Sequence, residues 1–192
     1  MENLRIIGIV GSLRKDSYNR MLMNAAIKLK PEGCTIEVAD ISKIPLFNQD
    51  IENKEPETVS VLRRKIKDAD AVLISTPEYN YSVPGVLKNA IDWVSRPYGY
   101  DAFDSKPVGL MSASTGQIGG ARAQYHLRQS FVFLNAFTIN KPEVIVSFAT
   151  EKFDQNGELK DEKAKELIRL LLKNLIALTK IIRENKTVVE NL

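Results

Sequence analysis

The sequence alternates short runs of Val, Ile and Leu with longer segments of helical periodicity, and this alternation restricts the fold more than any other feature. A strand followed by a helix, repeated along a chain, is typical of α/β domains with a parallel sheet. The runs are continuously apolar, which indicates that helices cover both faces of the sheet. We predict five parallel strands at residues 4–10, 34–39, 70–75, 107–113 and 143–147, and helices at about 18–29, 57–69, 84–95, 119–134 and 161–184.

The chain is predicted to form a single domain over residues 1–192. It has 10 Gly and 8 Pro in 192 residues, and we find no repeat, low-complexity segment or linker that would mark a boundary. The first apolar run, Leu4 to Val10, contains Arg5 and is too short for a signal peptide, and no segment approaches the ~20 apolar residues that span a bilayer. A cytoplasmic protein without a membrane partner is expected.

The composition excludes several kinds of site. The chain has one His and one Cys, His126 and Cys34, so a disulfide framework and a zinc site built from Cys and His are ruled out. The net charge is +3, and basic residues alternate with acidic ones instead of forming a patch, so no nucleic-acid partner is expected. If the chain is an enzyme, its reactive group is expected to come from a cofactor.

The segment after the first strand, GSLRKDSYNR at 11–20, has the composition of a phosphate-binding loop. It opens at the carboxyl edge of the sheet, where ligands bind, and a helix N-terminus with free N–H groups follows it. Ser12, Ser17 and Asn19 offer hydrogen bonds and Arg14 offers a charged donor. The alternative is that Ser17 only caps the helix and that Arg14 is solvated.

The same segment lacks both G-x-G-x-x-G and G-x-x-x-x-G-K-[ST], which argues against a dinucleotide and against a triphosphate. A single terminal phosphate fits a hydroxyl-rich loop better. FMN is a mononucleotide with such a phosphate, and we predict it as the ligand.

Two further loops are expected beside the first if the strand order is 2-1-3-4-5. The segment TPEYNYSVPG at 76–85 follows the third strand and offers aromatic and amide groups suited to a flat heterocycle, although a turn packed on its neighbours is the alternative. The segment STGQIGGARAQYHLRQ at 114–129 follows the fourth strand, and its glycines either let a ligand approach the backbone or serve tight packing alone.

Together with LKNAIDW at 87–93, these three segments closely resemble the NAD(P)H-dependent FMN reductase family, in particular its quinone and chromate reductase branch. The resemblance runs from the first strand to about Glu143 and implies a flavodoxin-like fold. No motif after about Ser147 matches. The resemblance also implies subunits that pair as homodimers, often as homotetramers.

The resemblance implies roles for individual residues in FMN binding. Ser12, Arg14, Ser17 and Asn19 would hold the phosphate. The isoalloxazine ring would be lined, chiefly through main-chain groups, by Pro77, Glu78, Tyr79 and Asn80, and approached from the third loop by Ser114 and Gly116. No catalytic side chain and no metal ligand are predicted. Arg122, Tyr125 and Glu143 would serve a subunit interface, the substrate entrance or the structure alone.

The resulting functional hypothesis is an enzyme that transfers a hydride from NADPH or NADH to bound FMN and then electrons to a small-molecule acceptor: a quinone, chromate, an azo compound or free flavin. The alternative is a flavodoxin-type electron carrier with a protein partner, and the net charge of +3 disfavours it because such carriers usually present an acidic surface.

Two long loops, residues 41–55 and 95–106, carry no assigned role. Asn156 and Gly157 predict a turn before the last helix.

Overall fold

The computed structural model describes residues 3–189, which contain one parallel sheet of six strands. The strands are β1 (Leu4–Val10), β2 (Cys34–Ala39), β3 (Ala71–Thr76), β4 (Pro107–Ala113), β5 (Phe137–Thr138) and β6 (Val144–Val146). The first four are adjacent in the order β2-β1-β3-β4, and β5 and β6 share the fifth position beside β4. This arrangement confirms the predicted α/β fold with the flavodoxin-like order 2-1-3-4-5.

The fifth position is interrupted rather than continuous. β5 pairs with the start of β4, where Val108 lies opposite Thr138, and β6 pairs with its end, where Ser112 lies opposite Ile145. Pro142, which has no N–H to donate, lies in the segment between them. Only β6 was predicted, because a two-residue strand has no periodicity to detect.

All five predicted helices are present, together with two short helices and a 3-10 helix that were not predicted. The helix predicted at 119–134 begins two residues later than expected because Gly119 and Gly120 have φ values of 64° and 92°, which a right-handed helix does not allow. The helices are α1 (Tyr18–Leu29), the 3-10 helix η1 (Gln49–Lys54), α2 (Glu57–Asp68), α3 (Gly85–Val94), α4 (Ala121–Phe133), α5 (Ala149–Lys152), α6 (Glu162–Glu184) and α7 (Lys186–Val189).

The helices cover both faces of the sheet, as predicted. α1 and α6 pack on one face, where Leu22 and Leu171 lie in a cluster with Ile6 of β1. α2, α3 and α4 pack on the other face, where Ile66 lies in a second cluster with Ile7. Consecutive strand residues point to opposite faces, so the continuous apolar runs supply both clusters.

The loop at 95–106 lies at the amino edge of the sheet, because it connects the end of α3 to the start of β4. Arg63 of α2, which is 8% exposed, holds it there. The guanidinium donates to four carbonyl oxygens at the end of α3 and in the loop and pairs with Glu55. Burial raises the pKa of the Asp101 carboxyl in this loop to about 6. The loop is therefore a structural connection on the side opposite the ligand edge.

The loop at 41–55 packs against α3. The carbonyl oxygen of Pro45 accepts hydrogen bonds from Trp93 Nε1 and Asn89 Nδ2, each at 2.8 Å, and the ring of Phe47 meets the Trp93 ring edge-on at 5.1 Å. The predicted turn before the last helix is also present, with Gly157 at φ 78° between residues that form a small antiparallel bridge. Within the described residues, no helix combines the length and apolar content needed to span a bilayer.

Candidate functional site

The carboxyl ends of β1, β3 and β4 meet at one edge of the sheet and carry three loops: loop 1 (residues 11–17), loop 2 (residues 77–84) and loop 3 (residues 114–120). Loop 1 starts beside the end of β3, from which loop 2 continues. Gly11 donates its N–H to Ser75 O at 2.8 Å, and a Cβ at Gly11 would lie 2.8 Å from Thr76 Oγ1. A side chain here would force the buried Thr76 or Leu87 side chain to shift, so packing favours glycine as the first residue of loop 1.

Loop 1 contains two buried serine hydroxyls. Ser12 and Ser17 are 3% and 4% exposed. Ser17 is the N-cap of α1, where its Oγ accepts from the N–H of Asn19 at 3.2 Å, and Ser12 Oγ accepts from the N–H of Arg14 at 3.3 Å. Both oxygens therefore shape the loop, and each hydroxyl still has a proton to donate to a ligand.

The outer part of loop 1 has free donors. The N–H groups of Leu13, Lys15 and Asp16 have no hydrogen-bond acceptor within residues 3–189, and the side chain of Arg14 is exposed beside them. Amides next to a helix N-terminus, with serine hydroxyls and a guanidinium, form the donor set that a phosphate monoester requires. The FMN phosphate fits this loop chemically.

Asn19 has a structural role that the sequence did not indicate. Its side chain is 2% exposed, Nδ2 donates to Ala113 O at 2.8 Å, and Oδ1 accepts from Ala113 N at 2.9 Å and from Ser75 Oγ at 3.2 Å. The carboxamide thus joins the start of α1 to the ends of β3 and β4. The side-chain amide of Asn19, one of the four residues expected to hold a phosphate, is therefore hydrogen-bonded within the protein.

Loop 2 forms a two-residue hairpin turn. Tyr79 and Ser82 exchange main-chain hydrogen bonds at 3.0 and 3.1 Å, and Asn80 and Tyr81 between them have φ values of 50° and 69°. Pro77 begins the loop, and its carbonyl accepts from Thr76 Oγ1 at 2.9 Å. The turn leaves the N–H groups of Asn80 and Tyr81 without an acceptor among the described residues. These groups suit the polar edge of a flat ring.

The carboxylate of Glu78 is directed toward α4. Oε1 accepts from Arg122 Nη1 at 2.7 Å, and Oε2 accepts from the main-chain N–H groups of Arg122 and Ala123 at 3.0 and 3.4 Å. A flat ligand bound at loop 2 would therefore contact Glu78 only through its main chain. The sequence analysis expected the same kind of contact.

Two more contacts bind loop 2 to α4, and neither pairing was predicted from the sequence. The guanidinium carbon of Arg122 lies 3.8 Å from the centroid of the Tyr81 ring, and Ser82 Oγ lies 2.9 Å from His126 Nδ1. The spacing of Arg122 and His126, four residues apart on one helix, was a signal that both occupy one face.

Tyr125 and Glu143 lie further from the loops. Tyr125 is 48% exposed, and its hydroxyl donates to Glu143 Oε2 at 3.4 Å, between α4 and the segment before β6. Of the three residues without an assigned role, Arg122 is the one that contacts loop 2.

The glycines of loop 3 differ in what surrounds them. A Cβ at Gly119 would lie 2.5 Å from Ile145 Cγ2, and one at Gly120 would lie 2.7 Å from Ser112 Cβ, so packing requires both glycines. At Gly116 the nearest atom is Ser114 Oγ at 3.8 Å, and this oxygen accepts the Gly116 N–H at 3.2 Å. Gly116 thus leaves open space beside the backbone, which a flat ligand could occupy.

The residues present fit FMN: a donor-rich loop for the phosphate lies beside two loops with main-chain edges for the ring. Groups of three potential metal ligands are absent from the part of the chain that the structure describes. The chemistry that this edge supports is the binding and orientation of a planar, phosphate-bearing ligand.

Comparison with known proteins identifies the family. The model of the NADPH-dependent FMN reductase family matches residues 4–151. The chain is 51% identical to an NAD(P)H-dependent FMN reductase of Pseudomonas aeruginosa, over 91% of this chain and 94% of that protein. It is 46% identical to an NAD(P)H:quinone oxidoreductase of Solanum tuberosum, over 91% and 92% of the two chains.

A solved structure shares the fold. The flavoenzyme NAD(P)H:(acceptor) oxidoreductase FerB of Paracoccus denitrificans superposes with a TM-score of 0.84 at 34% identity, over 92% of this chain and 97% of that one. The matched region includes all three loops of the site. The chain therefore belongs to the NADPH-dependent FMN reductase family.

Proposed function

We propose that this chain is an FMN-dependent oxidoreductase that oxidises NADPH or NADH and reduces a second, small-molecule acceptor. The observation that carries the proposal is the meeting of loop 1, with its free amides and hydroxyls, with loops 2 and 3 at one edge of the sheet. Family membership supplies the activity, and the loops supply a place for its cofactor.

The residues of the chain bind and orient the cofactor in this proposal. The phosphate is held by Ser12, Ser17, Arg14 and the main chain at the start of α1, including Asn19, whose side chain positions the loop. The ring is held by the main chain of Pro77, Glu78, Tyr79 and Asn80 and is approached by Ser114 and Gly116. Main-chain N–H groups at the ring edge stabilise negative charge that develops there. No side chain is assigned a catalytic role.

FMN, when bound, supplies the redox chemistry by accepting a hydride from the nicotinamide and passing electrons on. Because the two substrates would use the same open face of the ring in turn, we expect ping-pong kinetics. Quinones are the first acceptors to test, since relatives of this chain are named quinone reductases. Chromate, azo compounds and free flavin are the remaining candidates.

We also propose that residues 1–192 act as one FMN-binding domain and that the domain forms homodimers or homotetramers. Support for assembly comes from exposed apolar residues at the end of α4, where Val132 and Phe133 are 82% and 75% exposed. Phe133 and Phe47 line one surface groove of about 380 Å³.

The deciding experiment begins with the colour of the purified protein. We expect a yellow protein that releases FMN, not FAD, on denaturation and that oxidises NADPH or NADH when benzoquinone is added. Initial rates at several quinone concentrations should give parallel double-reciprocal lines, whereas intersecting lines would indicate a ternary complex. A colourless protein that takes up no FMN would contradict the proposal.

The flavodoxin-type carrier is separated from the reductase by the first half of the reaction. Anaerobic stopped-flow mixing of the FMN-loaded protein with NADPH and, separately, NADH should bleach the flavin absorbance rapidly with at least one of them. A carrier would be reduced slowly by both nicotinamides and would need a redox protein partner.

A further inference from the structure

One carboxylate, that of Glu78, joins loop 2 to the N-terminus of α4. Its side chain is 11% exposed, and it accepts three hydrogen bonds from α4, across 44 or 45 positions of sequence. The helix has Gly120 at its N-cap and no side-chain cap of its own. The cap of α4 therefore comes from the loop that we assign to the flavin ring.

The hairpin of loop 2 has a conformation that its sequence does not favour. Asn tolerates a positive φ, but the left-handed region is strained for an aromatic residue, and Tyr81 has φ 69°. The Tyr81 ring stacks on the guanidinium of Arg122, the group that Glu78 pairs with. The carboxylate, the guanidinium and the ring form one chain of contacts that holds the turn.

We propose that Glu78 is a positioning residue for the flavin: through Arg122 and the α4 amides it fixes the 79–82 hairpin, so that the main-chain donors of the hairpin meet the ring edge. The carboxylate points toward α4 and acts through other groups. This inference rests on the proposed function, because the hairpin needs a flavin to position.

Such a role affects the two redox states of the cofactor unequally. Reduced flavin carries more negative charge at its polar edge than oxidised flavin, so it gains more from N–H donors held in place. Loosening the hairpin should therefore weaken FMN binding and make the midpoint potential of the bound flavin more negative. Loss of a helix cap elsewhere in the chain should lower stability alone.

Asp161 provides the matched control. It caps α6 by accepting from Ala164 N, and it pairs with Lys152, so Asp161→Asn removes the negative charge of a capping side chain and its ion pair, as Glu78→Gln does. It lies at the start of α6, outside the three loops.

The test compares the wild-type protein with both variants in FMN affinity, midpoint potential and thermal midpoint. We expect both variants to melt at lower temperature than wild type. Only Glu78→Gln should raise the FMN Kd, by about tenfold for the loss of one charge-assisted hydrogen bond, and shift the potential to a more negative value.

The inference is overturned if Glu78→Gln keeps the wild-type Kd within twofold and the wild-type potential, as Asp161→Asn should. If Glu78→Gln does not fold, Arg122→Lys decides: it keeps the positive charge and loses the planar contact with Tyr81. The same two changes in Arg122→Lys support the inference, and their absence overturns it. A wild-type protein that binds no FMN would overturn the proposed function and the inference with it.

Discussion

At the scale of single residues, the glycines of loop 3 differ in whether packing requires them. Gly119 is enclosed by Ile145 and Ser147, and its φ of 64° disfavours any side chain. Gly116 has neither constraint, since a Cβ there would make only one ordinary contact, with Ser114 Oγ at 3.8 Å. A glycine that packing does not require is a candidate for contact with a ligand.

We predict that alanine lowers stability at Gly119 and FMN affinity at Gly116. Gly119→Ala should lose about 2–4 kcal/mol of stability through overpacking and backbone strain. Gly116→Ala should change stability by less than about 0.5 kcal/mol, yet weaken FMN binding by about tenfold because the methyl group would occupy the space of the ring. Urea denaturation of the apoprotein and titration with FMN measure the two effects. Unchanged FMN affinity in Gly116→Ala would remove Gly116 from the site.

At the scale of elements, α2 and the loop at 95–106 behave as one unit because of Arg63. This side chain is buried, and it satisfies carbonyl oxygens of Trp93, Val94 and Tyr100, which a solvated arginine could not do. The helical period of α2 predicted a buried face, but Arg63 lies next to Leu62 and reads in sequence as a polar position. The sequence assigned no role to this loop, and the structure shows that Arg63 holds it against α2.

Arg63→Met should therefore destabilise the protein by about 2–4 kcal/mol, because several buried carbonyls and Glu55 lose their donor. Arg64→Met, at the exposed neighbouring position, is the control and should cost less than about 0.5 kcal/mol. Urea midpoints report both values. At temperatures where the Arg63 variant stays folded, its KM for NADPH or NADH and for quinone should match wild type, since the loop lies at the opposite edge of the sheet. A changed KM would place this loop in the site after all.

At the scale of the whole molecule, the apolar end of α4 bears on assembly. Val132, Phe133 and, in the loop at 41–55, Leu46 are 75–85% exposed, which is costly for apolar side chains that remain in water. Burial of such residues between subunits would remove that cost.

We expect the protein to run as a dimer or tetramer in size-exclusion chromatography with light scattering at micromolar concentration. Phe133→Glu should shift it toward smaller species, because the charge would have to be desolvated in an apolar interface. Leu170→Glu, at a 45% exposed apolar position on α6, is the control and should leave the mass unchanged. A monomeric wild type would contradict the assembly proposal, and an unchanged mass in Phe133→Glu would place the interface elsewhere.

The sequence by itself determined the parallel sheet, the cover on both faces and the three loops at one edge. Apolar periodicity specifies strands and helices locally, and a parallel sheet brings the carboxyl ends of its strands together whatever the details of packing. The resemblance of residues 11–20, 76–93 and 114–129 to a family then predicted FMN as the ligand of these loops.

Only the tertiary structure decided where individual polar groups are used. It turned the Asn19 carboxamide toward β3 and β4 and directed Glu78 to the cap of a helix 44 positions away. Each of these depends on a partner distant in sequence, and a hydrogen bond forms only where the whole fold brings donor and acceptor within about 3 Å. No local pattern in the chain encodes that distance.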